Sequence, residues 1–159
     1  MMSAVLNCNI SFIGGGNMAQ ALIGGLIARG LPSTRITVSD PVEKVRELLT
    51  EKDVHVTDDN LVAIRDADIV VFAVKPQVLA SVLKPLKGLF EGKLVISIVA
   101  GAEINTLAQL LETQRIVRVM PNTPALVQTG AHGLFANDDV NAQDRELASQ
   151  VLASTGLTL

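Results

Sequence analysis

Aromatic side chains and positive charge are both scarce in this chain. Its 159 residues include four Phe but no Trp or Tyr, and the net charge is −3. No cluster of basic residues stands out, so the phosphates and bases of a nucleic acid would find neither a cationic surface nor stacking partners. The composition argues against nucleic-acid binding.

Cysteine is nearly absent as well, because Cys8 is the single one. One cysteine excludes an intramolecular disulfide framework and fits a reducing compartment. The amino terminus lacks the layout of a signal peptide, and no apolar run is long enough to span a bilayer. We expect a soluble, cytoplasmic protein with no membrane partner.

What the chain has in abundance is aliphatic residues, since 48% of its residues are hydrophobic. A core built from Val, Ile, Leu and Ala suits strands that are covered on both faces by helices. The length is that of one domain. We expect a single domain over residues 1–159.

Strand-like and helix-like segments alternate along the whole chain. The predicted strands cover residues 8–13, 35–39, 54–56, 68–74, 94–99 and 115–120. The predicted helices cover 18–29, a segment opening at residue 40, 60–65, a segment from Pro76 to about 86, 104–111 and 142–153. This order predicts an α/β fold, a doubly wound parallel sheet of the Rossmann-like kind. Segments 130–136 and 156–159 are candidates for extra edge strands.

A glycine cluster follows the first predicted strand, with Gly14, Gly15 and Gly16 ahead of a helix that contains Ala19. In a dinucleotide-binding turn the first glycine allows a sharp bend, and a later one lets the backbone approach a diphosphate. A small residue then keeps helix and strand close, and the helix amino terminus attracts phosphate. An ordinary tight turn is the alternative, but the surrounding strand and helix favour dinucleotide binding.

Asp40 ends the second predicted strand and supports two interpretations. A carboxylate there accepts hydrogen bonds from the adenosine ribose and repels a 2′-phosphate, which favours NADH over NADPH. Alternatively, Asp40 caps the next helix, with Pro41 in the first turn and Glu43 three residues on. Lys44 and Arg46 lie close enough in sequence to leave NADPH open.

Two short stretches follow the fourth and fifth predicted strands: Ala73, Val74, Lys75 and Pro76, and then Ala100 and Gly101. Ligands of open parallel sheets lie beyond the carboxyl ends of the strands, so both stretches are expected beside the cofactor. Pro76 predicts an extended conformation for Lys75. The alternative for Lys75 is a solvated surface lysine. The alternative for Ala100 and Gly101 is a role in packing alone.

The sixth predicted strand leads into a loop in which Pro121 and Pro124 flank Asn122. A stiff polar loop there suits the nicotinamide carboxamide, and a capped turn is an equal alternative. His55 and His132 lack metal-ligand partners at useful spacing and are interpreted as structural or surface residues. Cys8 is interpreted as a small core residue. No residue is predicted to be catalytic or to bind a metal.

Four segments together resemble the Δ1-pyrroline-5-carboxylate reductase family. They are Phe12-Ile13-Gly14-Gly15-Gly16-Asn17-Met18-Ala19, Ala73-Val74-Lys75-Pro76, Ser97-Ile98-Val99-Ala100-Gly101 and Met120-Pro121-Asn122-Thr123-Pro124-Ala125. The resemblance covers essentially the whole chain, with Val99 where the family usually has Ala. It implies an amino-terminal NAD(P)H-binding domain that reduces 1-pyrroline-5-carboxylate to L-proline, the last step of proline biosynthesis, once completed by a helical domain.

The resemblance also implies residue roles. Ile13, Gly14, Gly15, Gly16, Asn17 and Met18 wrap the diphosphate; Asp40 and Asn60 lie on the adenosine side; Ala73, Val74, Lys75, Pro76, Ala100, Gly101 and Asn122 line the nicotinamide half. The family's substrate motifs and its helical dimerisation domain are expected past residue 159, so this chain is expected to be an inactive fragment of a homo-oligomeric enzyme.

Two other functions stay open. One is a free-standing, non-catalytic dinucleotide-binding or redox-sensing module. The other is the cofactor domain of a related reductase that acts on hydroxy acids or uses a deazaflavin.

Overall fold

The computed structural model describes residues 7–120, 133–136 and 140–153. The described strands are β1 (Ile10–Ile13), β2 (Ile36–Ser39), β3 (His55–Thr57), β4 (Ile69–Phe72), β5 (Leu94–Ser97), β6 (Ile116–Met120) and β7 (Gly133–Ala136). The described helices are α1 (Asn17–Ala28), α2 (Glu43–Thr50), α3 (Asn60–Ile64), α4 (Leu79–Leu83), α5 (Ile104–Leu111) and α6 (Ala142–Ala153). Short 3₁₀ turns cover Ser33–Arg35, Pro76–Val78 and Lys84–Leu86.

The strands form one sheet in the order β3-β2-β1-β4-β5-β6-β7. The first six are parallel, and β7 pairs antiparallel with β6. Ile13 at the end of β1 stands opposite both Ser39 and Phe72, so the carboxyl ends of β1, β2 and β4 meet at one edge. The order reverses between β1 and β4, where open α/β sheets form their ligand crevice.

The sheet is covered on both faces, as the aliphatic composition predicts. Alternate residues of β4 show this division: Ile69 and Val71 join one core cluster, whereas Val70 and Phe72 join the other. Helices α1, α2 and α6 pack on the first face, and α3, α4 and α5 pack on the second. The prediction of a doubly wound, Rossmann-like parallel sheet is confirmed.

Several element boundaries differ from the predicted ones. The buried strand β1 begins at Ile10, so Cys8 precedes it and is only half-buried. Pro85 divides the helical segment after Pro76 into α4 and a 3₁₀ turn, because proline lacks the N–H that a longer helix needs. Segment 130–136 contributes β7, whereas 156–159 lies outside the described residues.

The predicted cap of α2 is wrong in detail. The helix begins at Glu43 with Val42 in the cap position, and no side chain caps it. Asp40 instead accepts the Val42 N–H at 2.8 Å through Oδ1, which forms a turn ahead of the helix. Its other oxygen, Oδ2, accepts the Gly15 N–H at 2.9 Å.

None of the described helices is both long enough and apolar enough to cross a bilayer.

Candidate functional site

The turn after β1 depends on Gly14. Its φ of +102° lies in the region that favours glycine, and an added Cβ would stand 2.8 Å from the carbonyl oxygen of Ala73. The Gly14 N–H donates to the Ser39 carbonyl oxygen at 2.8 Å. The turn is therefore packed directly against the ends of both neighbouring strands.

Gly16 has a different environment, because it caps α1 and is exposed. An added Cβ would meet no atom within 4 Å among the described residues. Within the part of the chain that the structure describes, the N–H groups of Gly16, Asn17 and Met18 have no hydrogen-bond acceptor. Bare amides at a helix amino terminus, with space in front of them, fit an anionic group such as a diphosphate.

The peptide groups on both sides of Gly15 are fixed by side chains. Its N–H donates to Asp40 Oδ2 at 2.9 Å, and its carbonyl oxygen accepts from Gln20 Nε2 at 2.8 Å. An added Cβ would approach Leu49 to 2.8 Å and Val45 to 2.9 Å. The glycine turn is thus held in place before any ligand arrives.

The end of β2 gathers the residues predicted for the adenosine side. Asp40 is only 9% exposed, and its carbonyl oxygen accepts from the Arg46 guanidinium at 2.8 Å. The hydroxyl of Ser39 donates to Asn60 Oδ1, which joins β2 to the start of α3. Asn60 is therefore bonded to the residue next to Asp40, although 20 positions separate Asn60 from Asp40 in the sequence.

The end of β4 lies beside the glycine turn. The Ala73 N–H donates to the Ile13 carbonyl oxygen at 2.8 Å, and Val74 also borders Gly14. Lys75 has φ −69° and ψ 145°, the extended conformation that a following proline predicts. Both Lys75 and Pro76 are exposed.

The other residues singled out from the sequence lie after β5, at the start of β3 or outside the described residues. Ala100 and Gly101 follow β5, the neighbour of β4, and both are exposed; Gly101 has φ +76°. Asn122 and His132 lie outside the described residues. His55 opens β3, at the opposite end of the strands from the glycine turn, and is exposed.

A cavity of about 400 Å³ borders Asn60 between α3 and α4. Its lining combines carboxylates with aliphatic side chains, among them Asp59, Leu61 and Val82. A second cavity of about 220 Å³ lies near the amino ends of β1, β2 and β3 and contains none of the predicted site residues. Among the described residues, no three His, Cys, Asp or Glu side chains come together as a metal site would require.

Two residues that hold the site together were not singled out from the sequence. Gln20 fixes the Gly15 carbonyl, and Ser39 holds Asn60. Gln20 lies in the first turns of a helix that directly follows the glycines, which is a usable local signal. The Ser39 contact joins separate elements and has no local signal.

The strand order reverses between β1 and β4, and the glycine turn lies at that point. Together these features define a dinucleotide-binding fold of the Rossmann-like class. The chain belongs to the family described as NADP oxidoreductase, coenzyme F420-dependent, whose model matches residues 9–101.

Individual relatives have a more specific name than the family description. The chain is 44% identical to the pyrroline-5-carboxylate reductase of Pasteurella multocida over 156 residues, covering 94% of this chain and 57% of that protein. It is 45% identical to the reductase of the same name from Haemophilus influenzae over 152 residues, covering 94% and 56%. The resemblance that the sequence motifs predict is confirmed.

Solved structures agree with the sequence relatives. A pyrroline-5-carboxylate reductase from Coxiella burnetii superposes with a TM-score of 0.88 at 40% identity, covering 96% of this chain and 58% of that one. The Plasmodium falciparum pyrroline carboxylate reductase with NADP bound gives 0.81 at 31% identity, covering 96% and 57%. A prephenate dehydrogenase from A. aeolicus, at 16% identity and a TM-score of 0.75, covers 94% and 58% and shares the fold alone.

The chain spans 57% and 56% of the length of the two curated relatives above.

Proposed function

We propose that this chain is the NAD(P)H-binding part of an enzyme that reduces 1-pyrroline-5-carboxylate to L-proline. The names of the relatives above 40% identity support the reaction. The single observation that carries the cofactor assignment is the open space over Gly16 beside three bare amides at the start of α1.

The proposed contacts follow the carboxyl edge of the sheet. The diphosphate is bound by Ile13, Gly14, Gly15, Gly16, Asn17 and Met18. Asp40 and Asn60 lie on the adenosine side, at the carboxyl end of β2 and the start of α3. The nicotinamide half is bordered by Ala73, Val74, Lys75, Pro76, Ala100, Gly101 and Asn122.

In the proposed mechanism, the role of this chain is to position the cofactor. When bound, the dihydronicotinamide supplies a hydride to the carbon of a protonated C=N group, which leaves a secondary amine. The fixed glycine turn and the small residues Ala73, Ala100 and Gly101 hold one reactant in place and leave room for the other. No side chain of this chain is proposed as a general acid, because the protonated imine is already electrophilic.

We further propose that residues 1–159 form one domain and that substrate contacts and oligomer contacts come from a helical domain outside it. The relatives' greater length supports this division. A cytoplasmic location and a homo-oligomeric complete enzyme belong to the same proposal, and the lone cysteine supports the former.

The cofactor assignment is tested by titrating the purified chain with NADH and NADPH and following the nicotinamide fluorescence. We expect saturable binding by the parent chain and none by Gly16→Val, whose side chain would fill the space before the amides. The circular dichroism spectrum of the variant should match that of the parent. Equal affinity of the two proteins would overturn the assignment.

The reaction is tested on the protein encoded by the complete gene, by following NADPH oxidation with 1-pyrroline-5-carboxylate as substrate. A hydroxy acid with oxidised cofactor and a reduced deazaflavin with NADP serve as comparison reactions, because the family description includes deazaflavin dependence. Turnover in either comparison reaction, with no turnover of 1-pyrroline-5-carboxylate, would show that the proposed reaction is wrong.

A further inference from the structure

The carboxylate of Asp40 already has two hydrogen-bond donors, and both belong to the main chain. Oδ2 accepts from the Gly15 N–H at 2.9 Å, and Oδ1 accepts from the Val42 N–H at 2.8 Å. The residue is 9% exposed. Each carboxylate oxygen therefore already accepts one main-chain N–H, and both bonds lie within the protein.

The contact with Gly15 determines which amides remain for a ligand. The Gly14 N–H is bonded to Ser39 and the Gly15 N–H to Asp40, so the first two glycine amides are both directed at the end of β2. The bare amides begin at Gly16. Asp40 thus helps to fix the direction in which the turn presents them.

The surroundings of Asp40 keep it in this position. Its own N–H donates to the Thr57 carbonyl oxygen at 3.0 Å, and its carbonyl oxygen accepts from Arg46 at 2.8 Å. Both peptide groups around the residue are therefore held. Hydrogen bonds from amides to a buried carboxylate are stronger than those to a neutral acceptor.

We infer that Asp40 is a positioning residue that holds the glycine turn ready for the diphosphate, and that it does not select between NADH and NADPH. The inference rests on the proposed cofactor site. It differs from the interpretation that a carboxylate at the end of β2 contacts the ribose and disfavours a 2′-phosphate. A ribose contact would make the residue selective, whereas a turn-holding contact affects both cofactors equally.

The test is Asp40→Asn in the full chain, titrated with NADH and with NADPH. An amide has one acceptor oxygen, so one of the two main-chain N–H groups must face its NH₂ group. We expect both dissociation constants to rise about tenfold with their ratio unchanged, as the loss of one charge-assisted bond implies. Hydrogen–deuterium exchange should quicken in the peptide around residues 12–18 and stay constant in β4 and β5.

Two further variants make the result specific. Asp40→Ser retains an acceptor for the Val42 N–H but is too short to reach Gly15, so it should weaken binding of both cofactors like Asp40→Asn. Asp68→Asn is the matched control, because Asp68 accepts the Asn9 N–H at 2.8 Å at the opposite end of the strands. This control should leave both dissociation constants unchanged.

A rise in the NADH constant with no rise for NADPH would overturn the inference in favour of ribose recognition. Unchanged binding by Asp40→Asn and Asp40→Ser would overturn it as well. If the parent chain binds neither cofactor, the proposed function fails, and faster exchange around residues 12–18 still decides whether Asp40 holds the turn. If Asp40→Asn does not fold, Asp40→Ser provides the same comparison.

Discussion

Three consecutive glycines in this chain meet three different physical requirements. Gly14 has a positive φ and touches the main chain of Ala73, Gly15 is crowded by side-chain ends, and Gly16 faces open space. The motif already assigns the bend to the first glycine and the approach of a diphosphate to a later one, and the structure adds the crowding around Gly15. Alanine at the two ends of the cluster should therefore affect stability to different extents.

Gly14→Ala should destabilise the fold, because Ala at φ +102° is strained and its Cβ would lie 2.8 Å from a backbone oxygen. We expect a loss of about 2 kcal/mol or more in the free energy of unfolding. Gly16→Ala should change that free energy by less than about 0.5 kcal/mol, since φ −73° suits any residue. Urea denaturation of the two variants measures the contrast, and equal losses would contradict it.

The fold alters the titration of the Cys8 thiol. Partial burial, and secondarily the charge of Asp68, raise the pKa of its thiol above the ordinary value of 9.0, while Arg35 opposes this. The folded state thus favours the protonated thiol. Its contribution to stability is complete below pH 9.0 and falls as the pH rises through the higher folded pKa.

Alkylation by iodoacetamide should therefore reach half its maximal rate at a higher pH in the folded chain than in the urea-unfolded chain, because only the thiolate reacts. The unfolded chain is the control. A lower midpoint in the folded chain would show that Cys8 is activated, not suppressed.

At the scale of elements, an ion pair joins helix α6 to the start of β6, in addition to the apolar packing of α6 on the sheet. Arg115, just before β6, donates to Asp144 through Nη2 at 2.8 Å and through Nε at 3.1 Å. This hydrogen bonding raises the pKa of Arg115. Asp144 is 4% exposed in its side chain, and its N–H donates to Asn141 Oδ1, which caps the helix.

Arg115→Ala should destabilise the chain by about 1–3 kcal/mol, because a buried carboxylate loses its cation. The effect stays below that of a fully buried pair, since Arg115 is 38% exposed in its side chain and water replaces part of the contact. Arg145→Ala removes an exposed arginine from the same helix and is the control. Thermal unfolding compares them, and equal melting temperatures would contradict this role.

At the scale of the whole molecule, the proposed site exists only in the assembled sheet. Gly14 lies against Ser39 of β2 and against Ala73, which directly follows β4, and those two strands are far apart in the sequence. An unfolded chain has no such arrangement, so a cofactor bound there stabilises the folded state alone.

NADPH or NADH at about 100 times its dissociation constant should add about 2.7 kcal/mol to the free energy of unfolding. For a chain of this size that corresponds to a rise of about 5–10 °C in the melting temperature. The Gly16→Val variant should show no rise. If millimolar cofactor leaves the melting temperature of the parent chain unchanged, the proposed cofactor site is wrong.

The local pattern of the sequence determined the element order, the bounds of α5 and α6, the glycine turn and the extended Lys75. Each depends on residues within a few positions of one another, such as the apolar run of β4 or Pro76 acting on its neighbour. The motifs also carried enough information to identify the family.

Only the tertiary structure decided what Asp40 contacts. Locally, Asp40 suits either a helix cap or a ribose contact, and its bond to Gly15 arises because β2 lies beside β1. The same holds for Ser39 and Asn60, which meet across separate elements. Strand order and register follow from packing helices on both faces of the sheet. This packing joins residues that are far apart in the sequence, so no short stretch of sequence predicts it.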